Sequence, residues 1–243
     1  MKKTIVRLDK LIATQCGFSR KEAHRVIKSG RVAVNGKSAD DISAGICPQE
    51  DRVTLDGTEI LYKEHIYLMM NKPAGVLSAS NDPKRETVVD LVPDHLRRNG
   101  IFPVGRLDKD TTGLLLLTDD GDFAHEVISP KKRVSKSYLV SLDGELTDDL
   151  PERFHDGITL ADGTRCRPAR LEILEPQKAR LILCEGKYHE VKRMFGTADL
   201  GVTALHRESL GELALPVDLK SGETVEIGPK EVEAAKKSER YTF

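Results

Sequence analysis

The chain has 243 residues, long enough for one large or two smaller domains, and its 38 Lys and Arg against 39 Asp and Glu give no overall preference for nucleic acid. Apolar runs are too short for a membrane span, and charged residues interrupt the first one too early for a signal peptide. Four scattered cysteines without a Cys-x-x-Cys pair disfavour a zinc site and a disulfide framework, so we expect a cytoplasmic protein.

The first sixty residues predict a small domain of two helices and short strands. Apolar residues recur at helical spacing over residues 5–13, and Gly17 ends that helix. Ser19 and Glu22 have the spacing of a capping box at the start of a second helix. Residues 31–37 then predict a strand with an Asn-Gly turn.

This amino-terminal region is strongly basic although the whole chain is not. Through residue 37 it carries ten cations, Lys2 and Lys3 among them, and two anions, and ten minus two is plus eight. For one basic helix a solvated face would be the simpler interpretation, but these cations lie on consecutive elements, which favours binding to a phosphate backbone. The cations that we select as candidate RNA contacts are Arg20, Lys21, Arg25, Lys28 and Arg31.

The order of short motifs in this region resembles that of the S4 RNA-binding domain. The motifs are Arg-Leu-Asp-Lys at residues 7–10, Ser-Arg-x-x-Ala at 19–23 and Gly-x-Val-x-Val-Asn-Gly at 30–36, followed by closing strands around residues 53–57. The resemblance implies that residues 1–62 form an S4 domain, with a charged linker at residues 63 and 64.

The rest of the chain predicts strands with few helices between them. Strands are predicted at residues 66–70, 101–104, 114–118, 136–142 and 180–184, and helices at residues 87–92, 146–155, 229–237 and from the cap Asp120 through about Ile128. Between the first two strands, residues 71–75 (Asn-Lys-Pro-Ala-Gly) predict a turn.

A charged loop at residues 105–113 runs directly into four consecutive leucines. The leucines, between a glycine and an Asp-Asp-Gly turn, predict a strand buried on both faces. Such a strand would hold Asp108 at a fixed point beside Arg106 and Asp110. In an arbitrary charged loop, carboxylates that cap backbone amides would be the simpler interpretation.

This stretch resembles the signature of the pseudouridine synthases that act on ribosomal RNA. The matching elements are Gly-Arg-Leu-Asp at residues 105–108, Thr-x-Gly-Leu-x-Leu-x-Thr at 111–118 and Asp-Gly at 120–121, with Glu-Gly-x-x-His-x-Val-Lys-Arg-Met at 185–194. The RsuA family, which modifies small-subunit ribosomal RNA, is the nearest match. The resemblance implies that residues 63–243 form a synthase domain with a mixed, largely antiparallel sheet, so that the whole chain has an α+β fold.

The same resemblance implies roles for individual residues. Asp108 matches the essential catalytic aspartate, and Lys192 matches the cation paired with it, with Arg193 as the rival. Tyr138 matches the tyrosine that stacks on the target base, although a buried core tyrosine with a satisfied hydroxyl is the simpler alternative. The remaining candidates are Arg106, which would help hold the flipped nucleotide, and His189, which would orient its loop, contact RNA or serve the structure alone.

The implied reaction is the formation of pseudouridine in 16S ribosomal RNA at position 516. No cofactor is expected because the reaction exchanges no electrons and the sequence contains no dinucleotide or P-loop motif. The histidine spacing also predicts no metal site. The expected partner is 16S ribosomal RNA or a small-subunit assembly intermediate, bound by a monomer.

Three alternatives remain open from the sequence. The chain could modify 23S ribosomal RNA, although residues 188–195 and 205–208 resemble the small-subunit branch. It could be a ribosome-assembly factor that binds RNA without catalysis, which the intact Asp108, Tyr138 and Lys192 disfavour. A glycoside hydrolase using Asp108 and Asp110 would give no use for the basic region.

Overall fold

The computed structural model describes residues 5–237, so Lys2 and Lys3 of the predicted basic surface lie outside the described residues. The chain divides into two compact units. One holds the residues up to Ile66 together with Pro93–Ile101, and the other holds Tyr67–Val92 and the residues from Phe102 onward. Among the described residues, no helix is both long and apolar enough to cross a membrane.

The first unit combines two helices with short strands. Its elements are β1 (Val6–Arg7), α1 (Leu8–Gln15), α2 (Arg20–Lys28), β2 (Val32–Val34), β3 (Lys37–Ser38), β4 (Gly45–Ile46), β5 (Val53–Leu55) and β6 (Thr58–Glu59). Four of the strands form an antiparallel sheet in the order β3-β2-β5-β6. The helix predicted from residue 5 begins only at Leu8, because Val6–Arg7 pair with β4 as a strand.

The predicted capping box at the start of α2 is confirmed. The hydroxyl of Ser19 accepts a hydrogen bond from the backbone N–H of Glu22 at 3.2 Å, and the Glu22 carboxylate accepts one from the Ser19 N–H at 2.8 Å. The apolar face of α2, including Ile27, packs against Leu11 of α1 in the core of this unit. The charged face of α2 therefore remains in solvent.

The second unit is built on one sheet. Its strands are β7 (Tyr67–Lys72), β8 (Phe102–Pro103), β9 (Thr112–Thr118), β10 (Lys136–Leu142), β11 (Arg170–Glu175), β12 (Lys178–Leu183), β13 (Val202–Leu210), β14 (Leu213–Ala214) and β15 (Thr224–Glu226), and its helices are α3 (Gly121–Ile128), α4 (Leu150–His155), α5 (Glu190–Gly196) and α6 (Pro229–Lys236). The main path runs β11-β12-β10-β13-β9-β7-β15. Only β13 and β9 pair in parallel among the described strands. The predicted mixed, largely antiparallel sheet is confirmed.

The strand β9 is the buried strand that the leucine run predicts. Leu114 to Leu117 are at most 1 % exposed, and Asp120 caps the following helix as predicted. At the start of β9, a Cβ atom on Gly113 would lie 2.3 Å from the carbonyl oxygen of Arg207 on β13. The close parallel approach of the two strands therefore requires glycine there, where φ is +100°.

The helix predicted at residues 87–92 is wrong. The segment is a turn in which the Asp90 carboxylate accepts hydrogen bonds from both the backbone N–H and the hydroxyl of Thr87, each at 2.8 Å. Such side-chain bonds to local backbone compete with helix formation. A short 3₁₀ helix at Asp94–Leu96 follows in the first unit, and the helix predicted at residues 146–155 begins only at Leu150.

Candidate active site

The backbone of the loop that carries Asp108 is held by hydrogen bonds to another segment of the second unit. The hydroxyl of Ser78 donates to the carbonyl of Leu107 at 2.9 Å and accepts from the N–H of Leu107 at 3.1 Å. The N–H of Gly75 donates to the carbonyl of Lys109 at 2.8 Å. The backbone on both sides of Asp108 is therefore held in place from outside the loop.

Lys72 supplies a third clamp, which sequence analysis did not identify. Its side chain is fully buried, and its ammonium donates to the carbonyls of Thr111 at 2.9 Å, Lys109 at 3.2 Å and Pro73 at 2.9 Å. Burial lowers the pKa of Lys72 to about 8, against the opposing effect of the carboxylates of Asp110 and Asp108. The only signal for this residue in the sequence is its place in the Asn-Lys-Pro-Ala-Gly turn.

Asp108 opens into a cavity of about 80 Å³ that most of the predicted site residues share. Its side chain is 30 % exposed, and its Oδ1 lies 3.6 Å from Nε2 of His189. The other predicted residues that line this cavity, named here the Asp108 cavity, are Arg106, Tyr138, His189 and Lys192. A carboxylate, two cations, an imidazole and an aromatic ring thus meet at one open site.

The predicted ion pair between Lys192 and Asp108 is not present. The Lys192 ammonium donates instead to Asp110 at 2.6 Å, and this bond lowers the pKa of the Asp110 carboxyl. Asp110 is 69 % exposed, so pairing with it requires less desolvation than pairing with the half-buried Asp108. The rival Arg193 pairs with Asp162 at 2.5 Å and is also not the partner of Asp108.

Tyr138 lies on β10 with 7 % of its surface exposed, opposite Arg207 on β13. A core tyrosine of purely structural role would be expected to satisfy its hydroxyl. Among residues 5–237 the hydroxyl has no hydrogen-bond partner, while the side chain lines the Asp108 cavity. This arrangement favours a role for the ring at the cavity over the structural alternative.

His189 is held in an unusual backbone conformation at the start of α5. Its φ of +48° and ψ of +36° are left-handed, which is uncommon outside glycine. Its ring stacks on that of Tyr188 with centroids 3.8 Å apart, and Tyr188 is 76 % exposed. The exposed ring of Tyr188 therefore extends the aromatic surface of His189, whose imidazole faces Asp108.

The buried Glu190 forms another part of the cavity wall, and its carboxyl group is paired with that of the partly buried Glu185. Glu190 is 5 % exposed, and burial together with a hydrogen bond to Glu185 raises its pKa to about 6. Lys187 pairs with Glu185 and lies 3.6 Å from Oε1 of Glu190. The thiol of Cys166 lies close enough to both carboxylates to complete a metal-ligand set, but the ammonium of Lys187 already supplies their positive charge.

The cations predicted to contact RNA in the first unit lie mostly in solvent. Arg20, Lys21, Arg25 and Lys28 are exposed on α2. Arg31 is exposed too, but its guanidinium already pairs with Asp56 at 2.5 Å, so it is less available to a phosphate. The four cations of α2 form the surface best suited to an RNA backbone.

Comparison with known protein families gives two matches. The profile described as RNA pseudouridylate synthase matches residues 66–197, and the profile of the S4 domain matches residues 6–58. The first match covers the Asp108 loop, β10 and α5, which together form the cavity.

Individual proteins match along nearly the whole chain. The uncharacterized RNA pseudouridine synthase YtzG of Bacillus subtilis is 42 % identical, over 93 % of this chain and 97 % of its own. Ribosomal small subunit pseudouridine synthase A of Escherichia coli K12 is 39 % identical, over 93 % of this chain and 98 % of its own. A crystal structure titled pseudouridylate synthase aligns with a TM-score of 0.67 and 35 % identity, over 95 % of this chain and 99 % of that one.

Proposed function

The chain belongs to the RNA pseudouridylate synthase family, and we propose that it converts one uridine of 16S ribosomal RNA to pseudouridine, with position 516 as the target. The curated relatives named for the small ribosomal subunit support this choice of RNA. The S4 match and the exposed cations of α2 support RNA binding independently. The substrate is the RNA or a small-subunit assembly intermediate, which in bacteria lies in the cytoplasm.

The observation that carries the proposal is the meeting of Asp108, Tyr138 and Arg106 at one open cavity. The proposed reaction needs a carboxylate that acts at one fixed position on a nucleotide, and a loop held by hydrogen bonds provides such a position. The four clamping contacts from Ser78 and Lys72 hold that loop before any RNA arrives.

Pseudouridine formation needs a carboxylate but no electron carrier. The bond between C1′ of the ribose and N1 of uracil breaks, the base turns, and C1′ bonds to C5. The proton on C5 is then lost and N1 gains one, so no electron is exchanged. Asp108 can act as the nucleophile or as the base, and its partly exposed side chain suits either role.

The neighbours of Asp108 would hold the flipped nucleotide. Unstacking the uridine costs a few kcal/mol, and stacking on an aromatic ring returns roughly 1–3 kcal/mol. We assign that stacking to Tyr138 and assign the exposed Arg106 to the strand at the cavity mouth. When RNA fills the cavity, the ammonium of Lys192 would leave the exposed Asp110 and pair with the carboxylate of Asp108 instead.

The test is carbodiimide-dependent primer extension on ribosomal RNA from a strain that lacks the gene. The deletion should remove one stop in 16S ribosomal RNA, and plasmid-borne wild type should restore it. Asp108→Asn should not restore it while still binding RNA. Asp122→Asn, the same change on the exposed first turn of α3, is the matched control and should restore it.

Other outcomes separate the alternatives. A stop lost from 23S instead of 16S ribosomal RNA would assign the large-subunit substrate. Unchanged stops in both RNAs, with a defect in subunit assembly, would support a binding factor without catalysis. Restoration by Asp108→Asn would remove Asp108 from the mechanism.

A further inference from the structure

A second cavity of about 150 Å³ adjoins the Asp108 cavity. Arg106, Tyr138 and Gly186 line both cavities, so the two share a wall. The second cavity is named here the Lys136 pocket, because Lys136 lines it together with Arg207. Neither residue has a part in the chemistry assigned to the Asp108 cavity.

Arg207 is a buried cation with an unused donor. It is 3 % exposed, and its Nε donates to the carbonyl of Leu114 at 2.7 Å. Its Nη2 is buried and has no hydrogen-bond partner among the described residues. Leaving a donor of a charged group buried and unpaired is costly, which indicates that something outside the chain completes it.

Lys136 places a second positive charge in the same pocket. The ammonium donates only to the carbonyl of Val134, at 3.3 Å, among its contacts in residues 5–237. Burial, and next the charge of Arg207, lower the pKa of Lys136 to about 8. Two cations that disfavour each other, with no carboxylate in ion-pair contact with either in the described chain, form a site that attracts an anion.

Glu185 is the carboxylate among the residues that line the pocket. Its charge is already used, because Lys187 pairs with it and the guanidinium of Arg167 lies 3.9 Å away. The pocket therefore retains its positive charge on the side of Lys136 and Arg207.

We propose, on the premise that the chain modifies RNA as proposed above, that the Lys136 pocket binds a phosphodiester group adjacent to the target uridine. Guanidinium and ammonium groups are donors without acceptors, and phosphate oxygens are acceptors without donors, so the two are complementary. The shared wall places this group next to the base held at Asp108. Arg106, which lines both cavities, would contact the strand between the base and the bound phosphate.

The test measures RNA binding rather than turnover, in the full chain carrying Asp108→Asn. Lys136→Met is compared with Lys230→Met, which removes the same charge from the exposed face of α6. Affinity for a synthetic RNA containing the target uridine is measured against salt concentration. We expect Lys136→Met to bind roughly tenfold more weakly at low salt, and its salt slope to fall by about 0.7, the value for one lost single-strand phosphate contact. Lys230→Met should change neither.

A set of RNAs identifies the phosphate. Each carries one neutral methylphosphonate at a position flanking the target uridine. One replacement should weaken binding by the parent chain clearly more than binding by Lys136→Met, which keeps only Arg207 as a cation for that phosphate. The proposal is overturned if every replacement weakens both chains equally, or if Lys136→Met keeps the parent salt slope; weaker binding with that slope unchanged would indicate contact with a base instead.

These measurements separate this proposal from the proposed function. If wild type forms no pseudouridine in 16S ribosomal RNA, the proposed function fails, but the salt slope and the methylphosphonate coupling still test the pocket, since neither needs turnover. Because Lys136 is only partly buried, its substitution is expected to preserve the fold, and an unchanged melting temperature verifies this.

Discussion

The ammonium of Lys72 donates a 2.9 Å hydrogen bond to the carbonyl of Thr111, three residues beyond Asp108. A side chain that ends β7 thus fixes the end of the loop before β9. In Lys72→Met the carbonyls of Lys109 and Thr111 lose their shared donor in a buried site. We expect a loss of stability of about 2–3 kcal/mol and a fall in turnover beyond that loss, because the loop would no longer be fixed.

Thermal unfolding and single-turnover rates on RNA check this prediction at a temperature where both proteins are folded. Lys84→Met, at an exposed position of the same unit, is the control and should match wild type in both measurements. Equal melting temperature and equal rate for Lys72→Met would show that the buried ammonium does not fix the loop.

The features that the sequence predicts correctly depend on neighbours in the chain. The capping box of Ser19 and Glu22 spans three residues, and the burial of β9 follows from its own leucines. The contacts of Lys72 span 37 and 39 residues, so no local pattern reveals them. The helix predicted at residues 87–92 fails for a related reason, since apolar spacing does not register the competing bonds of Asp90.

The sequence predicted which residues lie together at the candidate site, but not which of them form ion pairs. Asp108, Tyr138 and Lys192 do line one cavity. The partner of Lys192 is Asp110, because the choice between two carboxylates two residues apart depends on their exposure. Exposure depends on the packing of the whole unit, which one sequence without tertiary contacts does not specify.

The exchange proposed for Lys192 predicts different effects for the two members of its ion pair. The pair with the exposed Asp110 should contribute less than about 1 kcal/mol to stability, so neither Lys192→Met nor Asp110→Asn should shift the melting temperature greatly. Turnover should differ. Removing a charge that acts on the reacting centre costs on the order of 100-fold, so Lys192→Met should be impaired far more than Asp110→Asn.

Single-turnover rates with the two variants and the double variant check the exchange. Equal losses in both single variants, with no further loss in the double variant, would mean that the ion pair with Asp110 is itself the functional unit. In that case Lys192 would not serve Asp108.

The unpartnered hydroxyl of Tyr138 predicts that its ring matters more than its oxygen. Tyr138→Phe keeps the stacking surface and should retain most turnover with little change in stability. Tyr138→Ala removes a buried ring, which typically costs about 3–5 kcal/mol, and also removes the proposed stacking partner. Turnover and melting temperature of both variants check this, and an inactive but fully folded Tyr138→Phe would assign the chemistry to the hydroxyl.

The raised pKa of Glu190 predicts a pH-dependent gain in stability from Glu190→Gln. Because burial raises the pKa of Glu190 from 4.5 to about 6, the folded chain holds its proton more tightly than the unfolded chain. The stability that this provides is complete below pH 4.5 and is lost as the pH rises through 6, by on the order of 2 kcal/mol. Glutamine stays neutral, so the variant loses no stability as the pH rises through 6. Its amide oxygen can still accept a hydrogen bond from the N–H of Lys187.

We therefore expect Glu190→Gln to melt roughly 5 °C above wild type at pH 7.5 and to lose that advantage near pH 4.5. Glu152→Gln, at an exposed position in the first turn of α4, should follow wild type at every pH. Because Glu190 lines the Asp108 cavity, single-turnover rates at pH 7.5 are measured beside the melting curves. A gain of the same size at both pH values would mean that better packing, and not the titration of Glu190, stabilises the variant.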